Sequence, residues 1–179
     1  MPNAASSDRV TVTRTYLELR DRPARNASID WPGGITLERE ANCSVALSRA
    51  LYAAVGRAYH WYDRDAWSDE RLAATLASPS VEIWVLRDAN RPVGYFELAR
   101  DDDGSVEIAY FGLVASAHGK GLGKRLLEAA IRAAFDSRST RVWLHTCTLD
   151  HPAALPNYEA RGFVPFRTER YEIARPTLT

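Results

Sequence analysis

The chain has only two cysteines, Cys43 and Cys147, far apart in sequence and with no partner motif around either. That pattern fits a reducing cytoplasm better than a disulfide framework. Cys147 reads as a small buried hydrophobe rather than a nucleophile. The four histidines are scattered, with no H-E-x-x-H or comparable ligand spacing, so no metal is expected. Neither sign of charge dominates. The 23 basic residues balance 23 acidic ones, so no field would gather nucleic acid or an anionic membrane surface. No apolar run approaches the roughly 18 residues of a spanning helix. The opening residues, MPNAASSDRV, lack the basic start and apolar centre of a secretory signal. Repeats and low-complexity blocks are missing as well. What these absences leave is a chain of 179 residues, 46% apolar, long enough to bury a core. It is expected to form one domain over residues 1–179, with residues 1–34 an N-terminal strand and linker extension.

The chain is organised around Val106 to Phe135, VEIAYFGLVASAHGKGLGKRLLEAAIRAAF. Val106 to Val114 is apolar on both faces apart from Glu107, as befits a strand in the middle of a sheet. Strict alternation places Glu107 on the same strand face as Ala109, Phe111 and Leu113. The glycine turn His118-Gly119-Lys120-Gly121-Leu122-Gly123-Lys124 comes next. A helix follows at once, with Leu122, Leu126, Leu127, Ala130, Ile131 and Ala134 sharing one face. Free N–H groups and the positive end of the dipole at a helix start make an anion site, usually for phosphate, and Lys120 and Lys124 add charge there. The spacing is not that of a P-loop, because Gly119 and Gly123 enclose three residues instead of four and Lys124 is followed by Arg125. Nor is it a dinucleotide fingerprint, which requires glycine where Lys124 stands.

Along the rest of the chain, Val10 to Leu19 reads as a strand, Asp21 to Gly34 as a linker and Ile35 to Glu38 as a short strand. Asn42 is expected to cap a helix over about Ser44 to Val55, and Ser68 a second one ending near Ala77. His60 to Trp67 lies between them as an aromatic-rich loop. Val81 to Leu86 and Val93 to Ala99, joined to each other and to the central strand by short turns, should be antiparallel. Arg141 to Cys147 follows the helix as a parallel partner. A weak helix and a last strand, Phe163 to Ile173, complete the order. His145, within a strand, reads as a satisfied core residue.

The glycine turn resembles the acyl-CoA signature of the GNAT superfamily of N-acetyltransferases, Arg/Gln-x-x-Gly-x-Gly/Ala between the fourth strand and the next helix. The glycines match, while His118 stands in place of Arg or Gln and Ala115 where many members carry Pro. The order of elements from about Ile35 to Ile173 is similar to that of the superfamily. The resemblance implies an α/β (α+β) fold, a GNAT-like mixed, mostly antiparallel central sheet flanked by about four helices. The family often adds a closing strand after the last one here, and Val10 to Leu19 is expected at that edge instead. The implied activity is transfer of an acetyl group from acetyl-CoA to an amine, most simply a primary amine of a small molecule, in a ternary complex. A protein or peptide acceptor, or a CoA-binding regulatory module without turnover, stays open beside it. A homodimer is allowed; the implied location is cytoplasmic, with no nucleic-acid, membrane or metal partner.

Residue by residue, the resemblance puts the pyrophosphate over His118, Gly119, Lys120, Gly121, Leu122, Gly123 and Lys124. The pantetheine arm falls along the backbone of Phe111, Leu113 and Val114. Tyr158, in Asn157-Tyr158-Glu159-Ala160-Arg161-Gly162-Phe163, stands where the family's Leu-Tyr-x-x-x-Gly-Phe segment carries an acid for the departing thiolate, with Asn157 replacing Leu. His151 is either a pantetheine contact or a capping residue; Pro152 and Pro156 imply a late or kinked helix there. Glu107 stands where some members carry the general base, and otherwise it is a solvated residue just past the Asp-Gly turn. Trp61, Tyr62 and Asp63 either line an acceptor pocket for a cationic amine or form a packing loop.

Overall fold

The computed structural model describes residues 9–22, 28–136 and 139–174. Residues 1–8 of the expected extension and 23–27 of the linker lie outside the described residues. The elements are β1 (Arg9–Leu19), β2 (Ile35–Arg39), α1 (Val45–Gly56), α2 (Asp69–Leu76), β3 (Val81–Asp88), β4 (Arg91–Arg100), β5 (Ser105–Leu113), α3 (Leu122–Asp136), β6 (Arg141–Cys147), α4 (Ala154–Glu159) and β7 (Val164–Ala174). They form one sheet in the order β2-β3-β4-β5-β6-β1-β7. Only β5 and β6 run parallel, and they are the pair joined by the long crossover through α3. A mixed, mostly antiparallel sheet with four helices is the architecture expected from the order of elements. No helix among the described residues is long and apolar enough to cross a membrane.

Three local expectations change. β1 is not at an edge: Leu17 faces Leu144 of β6, while Thr13 faces Arg170 of β7. Val12 and Leu17 are fully buried within it. The cap of α1 is Ser44 rather than Asn42, its hydroxyl accepting from the Leu47 N–H at 3.2 Å. Ser68 caps α2 as expected, accepting from Arg71 N–H at 3.3 Å. His145 is not a core residue; it is exposed on the sheet, its ring edge-on to Tyr16 at 5.6 Å. α4 begins after Pro152 and takes Pro156 into its first turn, where a missing N–H costs no helical bond.

Consecutive residues of β5 show how the layers divide. A Cβ on Gly112 would meet Val55 of α1, whereas Leu113 reaches toward Gly123 of α3. So α1 packs on one face of the sheet and α3 on the other. The α3 side holds the larger core, with Phe96, Leu98, Leu126, Leu127, Ala130, Leu144 and Phe163 almost wholly buried. Burial of this kind contributes roughly 1.5–3 kcal/mol per large aliphatic or aromatic side chain. The smaller core under α1 contains Leu51, Val55, Ile83, Val85 and Tyr95. The carbonyls ending α3 are met by cations and hydroxyls: Arg100 donates to Ala133 and Ala134, and Ser139 donates to Ala134 at 2.6 Å.

Candidate active site

The parallel ladder between β5 and β6 is short. Ser105, Val106 and Glu107 pair with Arg141, Val142 and Trp143, and there it stops. β5 continues to Leu113 paired only with β4, and β6 continues to Cys147 paired only with β1. The two strands therefore part into a slot whose walls are open backbone edges. Val114 N–H donates to Val93 at 2.9 Å, toward β4. Backbone direction alternates along a strand, so Phe111 and Leu113 turn their backbone groups into the slot. Leu113 carbonyl already meets His118 Nε2 at 3.1 Å. Of the three residues expected to offer backbone N–H groups here, Phe111 and Leu113 can do so; Val114 has spent its own.

At the open end lies the glycine turn. Gly119 and Gly121 have φ of +74° and +71°, which turns the backbone tightly between the 3-10 turn Ala115–Ala117 and the start of α3. The space where a Gly119 side chain would stand is empty to 4 Å. Lys120 and Lys124 are exposed beside it. Leu122, by contrast, points into the core, and Gly123 packs near Leu113. An open backbone cradle at the start of a 15-residue helix, flanked by two ammonium groups, can hold an anion. His118 and His151 meet across this end, ring centroids 5.1 Å apart, with Tyr59 beyond at 6.1 Å from His151. His151 Nδ1 also accepts from Ala153 N–H at 3.1 Å, in the turn that precedes α4. Tyr158 packs edge-on against Phe111 at 6.1 Å and Phe163 at 6.2 Å. Burial, and then Asp150, holds its proton on more firmly than in an ordinary tyrosine.

The other face of β5 carries an aromatic box. Trp61 lies within 5.2–6.5 Å of Tyr52, Tyr95 and Tyr110, centroid to centroid. It reaches that place only because residue 56 is glycine; a Cβ there would stand 2.2 Å from the indole. Asp63 accepts hydrogen bonds from Tyr52 Oη at 2.7 Å and from Tyr110 Oη. Tyr62 does not join them. It is 41% exposed and lies against His60 and Arg57. Two residues overlooked in the sequence complete the box. Arg64 and Glu97 form a bidentate pair, Nη1 to Oε2 at 2.7 Å and Nη2 to Oε1 at 2.5 Å, and both are buried. The clue was available: Glu97 is the single charge inside the apolar run Val93 to Ala99.

Glu107 sits at the vertex of the slot, half-buried, on an interior strand. Its face is not the expected one. Glu97 pairs with Tyr110 and Leu98 with Ile108, which leaves Ala109 as an extra residue in β5. This bulge reverses the alternation, so Glu107 shares a face with Tyr110 and the aromatic box, not with Phe111 and Leu113. Burial there, and next the carboxylates of Asp101 and Glu97, push Glu107 up to about 7 against the opposing pull of Arg64. A carboxyl group titrating near neutrality can exchange protons with a bound base or acid. Cys147 is set aside by the same kind of evidence, since burial, then Asp150, raises its thiol and so withholds the reactive thiolate.

Residues 49–163 match the family model described as Acetyltransferase (GNAT) family. An uncharacterized N-acetyltransferase of Mycobacterium bovis is 36% identical over 77 residues, 43% of this chain and 49% of that protein. The match thus spans about half the length of that relative. Among solved structures, a GCN5-related N-acetyltransferase from Kribbella flavida superimposes with a TM-score of 0.63 at 23% identity, over 94% of this chain and 60% of the other. An aminoglycoside acetyltransferase from an uncultured soil metagenomic sample gives 0.61 at 16% identity, over 72% of this chain and 88% of the other. The structural likenesses speak for the fold; the family match covers more than half of the sequence, and on that ground the chain belongs to the GNAT acetyltransferase family.

Proposed function

We propose that this protein transfers the acetyl group of acetyl-CoA to the primary amine of a small molecule. The observation that carries the proposal is the parting of β5 from β6, with the glycine cradle at its open end and Glu107 at its vertex. Acetyl-CoA, when bound, supplies the activated acetyl thioester. Gly119 through Lys124 hold its diphosphate through backbone N–H groups, and Lys120 and Lys124 add charge. Phe111 and Leu113 line its pantetheine arm, with His118 and His151 at the mouth. The Phe111 and Leu113 N–H groups are the donors placed to steady negative charge developing on the acyl oxygen.

The acceptor approaches from the box side. Trp61, Tyr110 and Asp63 offer aromatic faces and a carboxylate to a cationic amine. Glu107 takes the proton of the ammonium group, directly or through a water, and so frees the nitrogen lone pair for attack on the acyl carbon. As the carbon–sulfur bond breaks, the Tyr158 hydroxyl donates its proton to the sulfur. Holding both partners in one slot removes much of the entropic barrier.

The test is acetyl-CoA turnover over a panel of amines, read by release of free thiol. Wild-type rates should rise as pH passes through 7 and Glu107 ionises. Glu107→Gln should be slow at neutral pH and regain part of its rate at high pH, where the amine is already neutral. Tight CoA binding with no thiol release for any amine or peptide would instead favour the regulatory module.

A further inference from the structure

The most buried charges of the described residues are not those of the slot itself. Glu97 is 1% exposed and Arg64 8%, on a sheet face lined with tyrosine and tryptophan. The guanidinium lies 4.3 Å from the centre of the Tyr110 ring and 4.9 Å from that of Trp67. The Arg64 N–H donates to Tyr52 Oη at 3.2 Å, and Tyr52 donates on to Asp63. A buried ion pair is a costly way to fix a loop, because apolar residues of similar size commonly do so with no desolvation penalty. Its position suggests what the cost secures. The Ala109 bulge places Glu107 opposite Ala99, on the face where Glu97 stands opposite Tyr110. Glu97 and Glu107 are therefore diagonal cross-strand neighbours, with Arg64 clamped to the first.

We propose that Arg64 and Glu97 are positioning residues for Glu107, a pair of cancelling charges that together set how firmly Glu107 holds its proton. The inference rests on the reading of Glu107 as the base. Arg64 alone would pin Glu107 in its charged form, and Glu97 alone would keep it protonated. Together they leave burial, and after it the Asp101 carboxylate, in control. Other charged groups face Glu107 but are differently engaged. Asp101, from the β4–β5 turn, accepts from Ser105 Oγ at 3.0 Å and Trp143 Nε1 at 3.4 Å. Arg141 of β6 is paired with Glu18 at 2.6 Å. His145 of β6 lies against Tyr16, and the Tyr110 hydroxyl is bound to Asp63. None of them neutralises either member of the buried pair.

The experiment follows the Glu107 carboxyl carbon by NMR against pH in the full chain, labelled at glutamate and assigned with Glu107→Gln. No substrate is present. Glu97→Gln should move the midpoint down by roughly one pH unit, since the guanidinium is then uncompensated. The double variant Glu97→Gln/Arg64→Gln removes both charges and should bring the midpoint back toward wild type. A purely structural role predicts no such return. An unmoved midpoint in Glu97→Gln, or a double variant no closer to wild type, overturns the proposal. If Glu97→Gln does not fold, Arg64→Gln decides in its place. Glu97 and Glu107 should then titrate as a coupled pair, each resonance biphasic, and independent single-step curves overturn the proposal. The pH–rate profile of the same variants separates the two claims. A rate limb that ignores the NMR midpoints removes Glu107 as base while the electrostatic coupling stands.

Discussion

The two sides of the slot are built from different materials. The open end, from Leu113 to Lys124, is backbone: two glycines of positive φ, a helix start and exposed lysines, all within twelve consecutive residues. The box side is made of side chains brought together from α1, the following loop, β4 and β5: Tyr52, Trp61, Asp63, Arg64, Glu97, Glu107 and Tyr110. A backbone cradle tolerates almost any side chain that does not fill it. A side-chain network fails when one member changes. The first suits a ligand part shared by every turnover, the second a part that varies between enzymes.

The comparison predicts a steep response to filling the cradle. In Gly121→Glu a carboxylate enters the cradle, its Cβ 3.1 Å from Arg125 Nη1 and its φ strained. CoA affinity should fall by at least ~10²-fold, at the scale of several kcal/mol for a clash plus like charge. Calorimetry on variant protein with a wild-type thermal midpoint is the measurement; unchanged affinity would move the diphosphate elsewhere. Tyr158→Phe comes next. It keeps the packing on Phe111 and Phe163 and removes one proton. Turnover should drop ~10²-fold, within the range of general acids, with CoA affinity steady. An unchanged chemical step excludes Tyr158 from the reaction.

On the box side, effects should be smaller and confined to the amine. Gly56→Ala drives a methyl into the Trp61 indole and displaces the ring from Tyr110. KM for the amine should rise ~10-fold, about 1.4 kcal/mol, with CoA affinity unaffected. A variant that lost both affinities equally would mean that the two sides are one cooperative unit.

The same contrast explains what the sequence disclosed. The glycine turn and α3 were legible because their residues are contiguous and one period runs through them. Most strand spans were legible for the same reason. The Ala109 bulge was not, because an apolar run reads equally well in either phase and nothing between Val106 and Val114 marks where alternation slips. The place of β1 was hidden too: its burial is explained equally by many pairings, and only the whole sheet chooses β6 and β7. Arg64 and Glu97 are 33 residues apart, on a loop and a strand that share no local pattern. Glu97 carried a signal on its own, a lone carboxylate in a strand otherwise apolar, but its partner could not be named. His145 misled because a strand position predicts burial only where something covers that face.

The smallest effect expected concerns stability, and it probes the box without any ligand. Glu107 titrates at about 7 in the fold, raised first by burial, and near 4.5 when free of it. Between those values the folded chain binds more protons than the unfolded one, so this group makes stability decline as pH rises through that window. Above 7 the full cost is present; below 4.5 it vanishes. The glutamine amide never ionises, so Glu107→Gln should be more stable than wild type above pH 7, by ~1–2 kcal/mol after allowing for the half-exposed side chain. The gain should shrink through the window and disappear below it. Denaturant unfolding at pH 4.5, 6 and 8 is the check. A stability difference that stays constant across the three would mean that Glu107 is solvated in the fold, and the box would then lack a carboxyl group poised to take a proton near neutral pH.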